Sequence, residues 1–204
     1  MTALAPDLGS LLRAHGLDGA SERPLLGGGY TGAGISLIER GEERYALKRS
    51  RYAEDWVRRL TGDATCREAE FAVSPLVARL PASVRAATLG AARDADAWAL
   101  LMRDISELLL PDAPIASNRL DAIFAAVAAM HAAFWDDPLD GAGVRWCGVS
   151  ERLSLLSPRA GEILVAEGND FGIAEGWRTS TASRRPPRGT SRVGCTTTSR
   201  RSRG

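Results

Sequence analysis

The chain has 204 residues and a mass of 21.7 kDa, and 45% of its residues are apolar, so it can bury one core of ordinary size. Its three cysteines, Cys66, Cys147 and Cys195, form no C-x-x-C pair, which excludes a disulfide framework and a cysteine-rich zinc module. Charge is unevenly distributed: residues 1–177 contain all 25 acids and 18 basic side chains, while residues 178–204 contain eight arginines and no acid.

No segment of the chain predicts membrane insertion or export. The longest apolar stretch, residues 122–135, has 14 residues and contains His131, whereas a membrane-spanning helix needs about 20 residues. Residues 1–16 include Asp7 and have no basic residue before the first apolar run, unlike a secretory signal. We therefore expect a cytoplasmic protein that does not contact membranes.

The N-terminal part of the pattern predicts a helix followed by a β-hairpin. Residues 1–21 contain leucines at helical spacing. A glycine cluster at 27–34 then precedes two stretches of alternating apolar residues, 35–37 and 45–47, which the turn-prone residues 40–42 connect.

The following elements are mainly helical. Residues 54–80 show helical periodicity, which is strongest over 66–80 despite Pro75, and residues 95–105 predict one short buried strand. Ser117 is expected to cap a long apolar helix that ends before Pro138 and holds His131 as a core residue. Two short helices are predicted at 151–156 and 159–167.

The glycine cluster before the hairpin matches a phosphate-binding pattern. Gly27, Gly28, Gly29 and Gly32 fit G-x-G-x-x-G, in which backbone N–H groups approach phosphate oxygens with no Cβ in the way. A dinucleotide-binding fold would need a helix directly after the glycines, whereas a strand is predicted here. A glycine turn that binds nothing is the alternative.

Lys48 is the single lysine of a chain that contains 25 arginines, and it lies near the end of the predicted hairpin. The sequence Tyr45-Ala46-Leu47-Lys48 has the pattern of the V-A-I-K strand of protein kinases. In that strand the small alanine leaves room for adenine and the lysine pairs with nucleotide phosphates. A solvent-facing lysine at a strand end is the alternative.

A phosphate-binding lysine of this kind needs a carboxylate to hold it in place. Glu68 and Glu70 lie about 20 residues later on a predicted helix. Glu68 borders the apolar stripe of that helix and is the better candidate, while two solvated glutamates are the alternative. The buried strand then ends at Met102 to Asp104, where backbone contacts with adenine are expected, although an ordinary core strand has the same pattern.

In this order the parts resemble the aminoglycoside phosphotransferase and choline-kinase-like family of small-molecule kinases. The resemblance covers residues 22–177 and implies an α+β, protein-kinase-like fold. The four segments would be an N-terminal helix (1–21), a β-rich nucleotide-binding lobe with its hinge (22–110), part of a helical C-terminal lobe (111–177) and a basic tail (178–204).

The resemblance also implies a ligand and a reaction. ATP and Mg²⁺ would bind between the lobes, and the γ-phosphate would pass to a hydroxyl group of a small-molecule substrate. By the match, the nucleotide-binding residues would be Gly27, Gly28, Gly29, Gly32, Gly34, Ala46, Lys48, Glu68, Met102 and Asp104.

The catalytic part of the family pattern is absent from this sequence. The family that the chain resembles carries its catalytic acids in an H-x-D-x-x-x-x-N segment and a second acidic motif, but neither His15 nor His131 is followed by an aspartate two residues later. Asp170, Phe171 and Gly172 spell the D-F-G of protein kinases without an H-x-D before them. We therefore assign no catalytic or metal-binding residue and expect a truncated, inactive phosphotransferase.

The basic tail, residues 178–204, has too few apolar residues to offset its chain entropy and is predicted to be disordered. Its acid-free composition is what a GC-rich gene gives when read out of frame, which would explain the missing motifs. The alternative is a non-enzymatic protein whose arginines bind nucleic acid or another anionic partner. Because the tail has no aromatic residues to stack bases, nucleic acid is the disfavoured partner.

Overall fold

The computed structural model describes residues 4–25, 31–108, 114–136, 139 and 142–166. Within these residues the protein is α+β, and five antiparallel strands form one sheet in the order β1-β2-β3-β5-β4. The elements in chain order are α1 (Leu8–Ala14), β1 (Ser21–Pro24), β2 (Gly34–Arg40), β3 (Glu43–Arg51), α2 (Trp56–Leu60), α3 (Arg67–Val73), β4 (Thr88–Asp94), β5 (Ala97–Arg103), α4 (Ser117–Phe134), α5 (Val149–Ser154) and α6 (Pro158–Ala166).

The predicted hairpin, buried strand and helices are present, but one predicted helix is divided. The segment 54–80 forms α2, α3 and a 3-10 helix at Pro75–Arg79. Pro75 cannot donate a backbone hydrogen bond to continue α3, and Cys66 takes the left-handed conformation (φ 65°) between α2 and α3. The helical character predicted for 54–80 is therefore present, but it is divided among three short helices.

Two strands of the sheet, β1 and β4, have no clear sequence signal. All four residues of β1 are exposed, so no alternation of polar and apolar residues marks it. The buried centre of β4 consists of Gly90, Ala91 and Ala92, which have low strand propensity. These two strands form because their backbones pair with β2 and β5, which the local sequence does not show.

Strand β5 lies inside the sheet and is covered on both faces. On one face α1 contributes Leu11 to a cluster that includes Leu47 and Leu101. On the other face α3 contributes Ala69 to a cluster that includes Trp98 and Leu100. A strand buried on both faces is apolar along its whole length, which explains why β5 is the strand that the sequence predicts most directly.

Helix α4 lies at the surface, and none of its residues is buried. Phe124 and Trp135 are 66% and 78% exposed. The prediction that His131 is a core residue is wrong, because its side chain is exposed. Ser117 is the first helical residue rather than the cap, which is Ala116 and makes no side-chain capping bond.

In the part of the chain that the structure describes, no helix has the length and apolar composition needed to cross a membrane.

A buried arginine joins the end of β3 to the segment before α3. The guanidinium of Arg58 donates to the carbonyl oxygens of Ser50 at 2.9 Å, Asp63 at 3.0 Å and Ala64 at 3.2 Å. Asp55 accepts from Ser50 Oγ at 3.0 Å and from the backbone N–H of Arg58 at 3.1 Å. This network fixes the turn that leads from the sheet to α3.

Replacement of Arg58 is expected to destabilise the fold strongly. In Arg58→Ala the carbonyl oxygens of Ser50, Asp63 and Ala64 lose their donor, and the buried carboxylate of Asp63 loses its cationic partner at 4.0 Å. Breaking such a buried charged network costs about 3–5 kcal/mol. Arg23→Ala removes an exposed arginine from β1 and is the matched control. Urea denaturation of both variants measures the difference, and equal midpoints would contradict a structural role for Arg58.

Candidate functional site

The site is centred on Lys48, which extends from β3 on the face of the sheet that α3 covers. Its Nζ donates a hydrogen bond to Oε2 of Glu68 at 2.5 Å, and the two side chains are 21% and 44% exposed. Glu70 instead accepts from the backbone N–H of Arg145 at 2.9 Å. Of the two candidate glutamates, Glu68 is therefore the one that contacts the lysine.

The first turn of α3 places Glu68 over the sheet. Both carboxylate oxygens of Asp63 accept from the backbone N–H of Arg67, at 3.0 and 3.1 Å, which holds the start of the helix. Ala69 and Ala72 are buried, and their small side chains let the helix approach the strands closely. The side chain of Glu68 can therefore contact Lys48 directly.

Cys66 lies next to this turn and is not suited to nucleophilic chemistry. Its side chain is buried, and the loss of solvation raises the pKa of the thiol. A thiol in such surroundings is mostly protonated and inert at neutral pH. Its role is in the packing between α3 and the sheet.

Ala46 and Met102 form an apolar surface beside Lys48. Residues that lie directly opposite in an antiparallel pair point to the same face of a sheet, and Ala46 is opposite both Leu37 on β2 and Met102 on β5. Lys48 lies two residues from Ala46 on the same strand, so it shares this face. Ala46 and Met102 thus lie on the same face of the sheet as the Lys48–Glu68 pair.

Asp104 follows β5 and uses its side chain locally. Its carboxylate accepts from the hydroxyl and the backbone N–H of Ser106 and forms an ion pair with Arg44 at 3.3 Å. These bonds from Ser106, aided by the charge of Arg44, lower the pKa of Asp104. The backbone N–H of Arg103 donates to the carbonyl of Ala87 at 3.0 Å, so this donor of the expected adenine-binding stretch is engaged within the protein.

Gly32 has a structural role in addition to any ligand contact. Its φ is +90°, and a Cβ at this position would lie 2.2 Å from the carbonyl oxygen of Glu54. The neighbouring Thr31 accepts a backbone bond from Trp56 at 3.1 Å and donates through Oγ1 to Asp55 at 3.3 Å. The end of the glycine segment is therefore attached to the turn that follows β3.

Of the other predicted glycines, the structure describes only Gly34. Gly34 belongs to β2, and a Cβ there would meet nothing within 4 Å. Gly27, Gly28 and Gly29 lie outside the described residues, as do the D-F-G segment at 170–172 and the basic tail.

Sequence reasoning missed the residues that connect α3 to the helices after it. Arg67 donates through Nη2 to Oε2 of Glu151 at 2.9 Å, and Arg145 reaches both Glu70 and Glu151. The Arg67–Glu151 and Glu70–Arg145 contacts join residues 84 and 75 positions apart. No local pattern indicates them.

Comparisons with protein-family models, with curated proteins and with solved structures found no match for this chain. Among the residues that the structure describes, no three His, Cys, Asp or Glu side chains are grouped in a way that could hold a metal ion.

The two described glycines of the glycine segment are expected to respond differently to alanine. Gly32→Ala places a Cβ against the Glu54 carbonyl and forces a left-handed conformation, which costs about 1–3 kcal/mol for the backbone alone. Gly34→Ala has an open position and should stay within about 0.5 kcal/mol of the wild type. Thermal unfolding compares the two variants, and equal stability would show that Gly32 is not held against the β3–α2 turn.

Proposed function

We propose that this chain binds ATP as the nucleotide-binding lobe of a small-molecule phosphotransferase with a kinase-like fold. The observation that carries the proposal is the 2.5 Å contact between Lys48, the single lysine of the chain, and Glu68 on α3. A strand lysine held by a helix glutamate is the arrangement that kinase-type phosphate binding uses. The cytoplasm, where ATP is present, is the proposed location.

The ion pair is better explained by positioning than by stability. Partly exposed pairs contribute only about 0.2–1 kcal/mol, so the fold gains little from joining these two side chains. A fixed carboxylate does, however, hold the flexible lysine stem in one direction, which lowers the entropy lost when the ammonium meets a phosphate. Lys48 is therefore prepared to receive an anionic ligand.

The strand register supports a phosphate site at the same end of the hairpin. Gly34 lies opposite Arg49, one residue beyond Lys48, so the glycine segment enters the sheet at the end where Lys48 lies. Backbone N–H groups of glycines and a lysine ammonium are complementary to phosphate oxygens. The small side chain of Ala46 and the thioether of Met102 provide an apolar surface for a nucleobase next to that end.

The proposal is for nucleotide binding without phosphoryl transfer. Magnesium supplies charge neutralisation in this reaction when it is bound, but Glu68 and Asp104 are engaged with Lys48 and with Ser106 and Arg44. The sequence also has no H-x-D-x-x-x-x-N segment to orient an acceptor hydroxyl. The described contacts therefore support a role in holding the nucleotide rather than in moving its γ-phosphate.

Lys48→Ala is expected to weaken ATP binding about ten-fold or more, because a charge-assisted hydrogen bond contributes about 1.5–3 kcal/mol. Calorimetric titration with ATP measures the dissociation constants. Arg23→Ala, which removes an exposed cation from β1, controls for the change in net charge. Equal affinities of Lys48→Ala and the wild type would remove the basis of the proposal.

Purified protein is expected to show no ATP turnover with magnesium and a panel of hydroxyl acceptors that includes aminoglycosides and choline. Positioning and electrostatics supply most of the rate in this chemistry, and the catalytic segment is absent from the sequence. Release of ADP is measured against a blank without protein. Turnover that disappears in Lys48→Ala would show that another acid performs the catalytic role.

A binding assay separates this proposal from the alternative of a basic nucleic-acid-binding protein. Heparin retention that depends on salt and is lost on deletion of 178–204, without any stabilisation by ATP, would favour the alternative.

A further inference from the structure

The helix that carries Glu68 is attached to a later part of the chain on both sides of that residue. Arg67 donates through Nη2 to Oε2 of Glu151 at 2.9 Å, and Glu70 accepts from the backbone N–H of Arg145 at 2.9 Å. These two residues lie one position before and two positions after Glu68. The first turn of α3 is therefore connected to the segment 145–151.

Glu151 is the centre of these connections. Besides Arg67, its carboxylate accepts from the backbone N–H of Gly148 at 2.8 Å and pairs with Arg145 at 3.3 Å. The bond from Gly148, together with the charges of Arg67 and Arg145, lowers the pKa of Glu151. The carboxylate is thus ionised at neutral pH and connects two arginines from different parts of the chain.

Arg67 connects Glu151 to α3, and its side chain is only 14% exposed, so its position is restricted. The same Nη2 that contacts Glu151 also donates to the carbonyl of Thr61 at 3.0 Å. A guanidinium held between two acceptors in a largely buried position has little freedom to take another rotamer. Its backbone, which begins α3, is consequently restrained.

Helix α3 depends on such restraints because it is short and packs through small residues. It has seven residues, and its cap residue, Cys66, makes no side-chain capping bond, so its start is held by the Asp63 carboxylate and by the contacts of Arg67. Ala69 and Ala72 allow close approach to the sheet, and Val73, at the last position of the helix, is the larger side chain that packs against this core. Small shifts of α3 along the sheet would therefore separate Glu68 from Lys48.

We propose that Glu151 is a positioning residue for the Lys48–Glu68 pair, which it maintains by holding the start of α3 through Arg67. Its relevance to nucleotide binding rests on the function proposed above. In this arrangement the phosphate-binding lysine is oriented only when the segment 145–154 is docked against α2 and α3. Ser154 supports that docking by donating to the carbonyl of Leu60 at 2.9 Å.

The single lysine allows a direct test in the full chain. Acylation of a lysine needs an unprotonated nitrogen that is not engaged in an ion pair, so the acylation rate of Lys48 reports on its contact with Glu68. Peptide mapping by mass spectrometry separates this site from the α-amino group. The variants are Glu68→Gln and Glu151→Gln, and Glu162→Gln, an exposed glutamate on α6, is the matched control.

Glu68→Gln and Glu151→Gln are both expected to raise the rate about two- to five-fold, which corresponds to an ion pair worth up to about 1 kcal/mol. In the Glu68→Gln background, Glu151→Gln should cause no further rise, because the carboxylate through which it acts is already absent. Glu151→Asp keeps the charge on a shorter side chain and should lie between the wild type and the amide variant. It also provides the test if the amide variant does not fold.

Two results would overturn the positioning role. The first is an acylation rate of Glu151→Gln equal to that of the Glu162→Gln control. The second is a rise in acylation rate on Glu151→Gln that is as large in the Glu68→Gln background as in the wild type. The second result would indicate general loosening of the structure instead of an effect through the pair. ATP titration of the same proteins separates this inference from the proposed function. If the acylation pattern holds and the wild type binds no ATP, the proposed function is wrong and Glu151 still positions the pair.

Discussion

The close approach of α3 to the sheet is the constraint on which the site depends. Ala69 and Ala91 are completely buried where the helix meets β4, and a larger side chain at either position would move the helix outward. At this separation the side chain of Glu68 reaches Lys48 directly. The ion pair is therefore a consequence of how small residues set the distance between helix and sheet.

The polar contacts around α3 determine where along the sheet the helix lies. Arg58 fixes the turn after β3 through three backbone carbonyls, and Asp63 holds the first N–H of the helix. Glu151 adds a contact from the helical segment that follows α4. The apolar core thus sets the distance of α3 from the strands, while charged groups set its position and direction.

The sequence predicted the elements whose signals are local. Alternating apolar residues indicated the β2–β3 hairpin, and the continuous apolar run indicated β5, because these patterns record which faces are buried. Strand β4 was missed because its buried residues are glycine and alanine, whose burial reflects the closeness of α3 rather than strand propensity. The division of the 54–80 helix follows from Pro75 and from the left-handed Cys66, and only the first of these is visible in the sequence.

Within the site, the pairing of Lys48 with Glu68 could be predicted because a kinase-type strand lysine needs a helix carboxylate and Glu68 borders the apolar stripe of the following helix. The contribution of Glu151 could not, since it depends on contacts across 84 positions of the chain. The structural role of Gly32 was also hidden, because the phosphate-binding pattern and a close backbone approach both require glycine.

The most direct test of the account is the ¹⁵Nζ resonance of the protein labelled at its single lysine, followed during titration with ATP. If Lys48 contacts the phosphates, this resonance should shift in a saturable way, and the shift should have the same midpoint as calorimetric binding. A resonance that does not move while ATP saturates the protein, or the absence of any ATP binding, would contradict the assignment of Lys48 as a phosphate-binding residue.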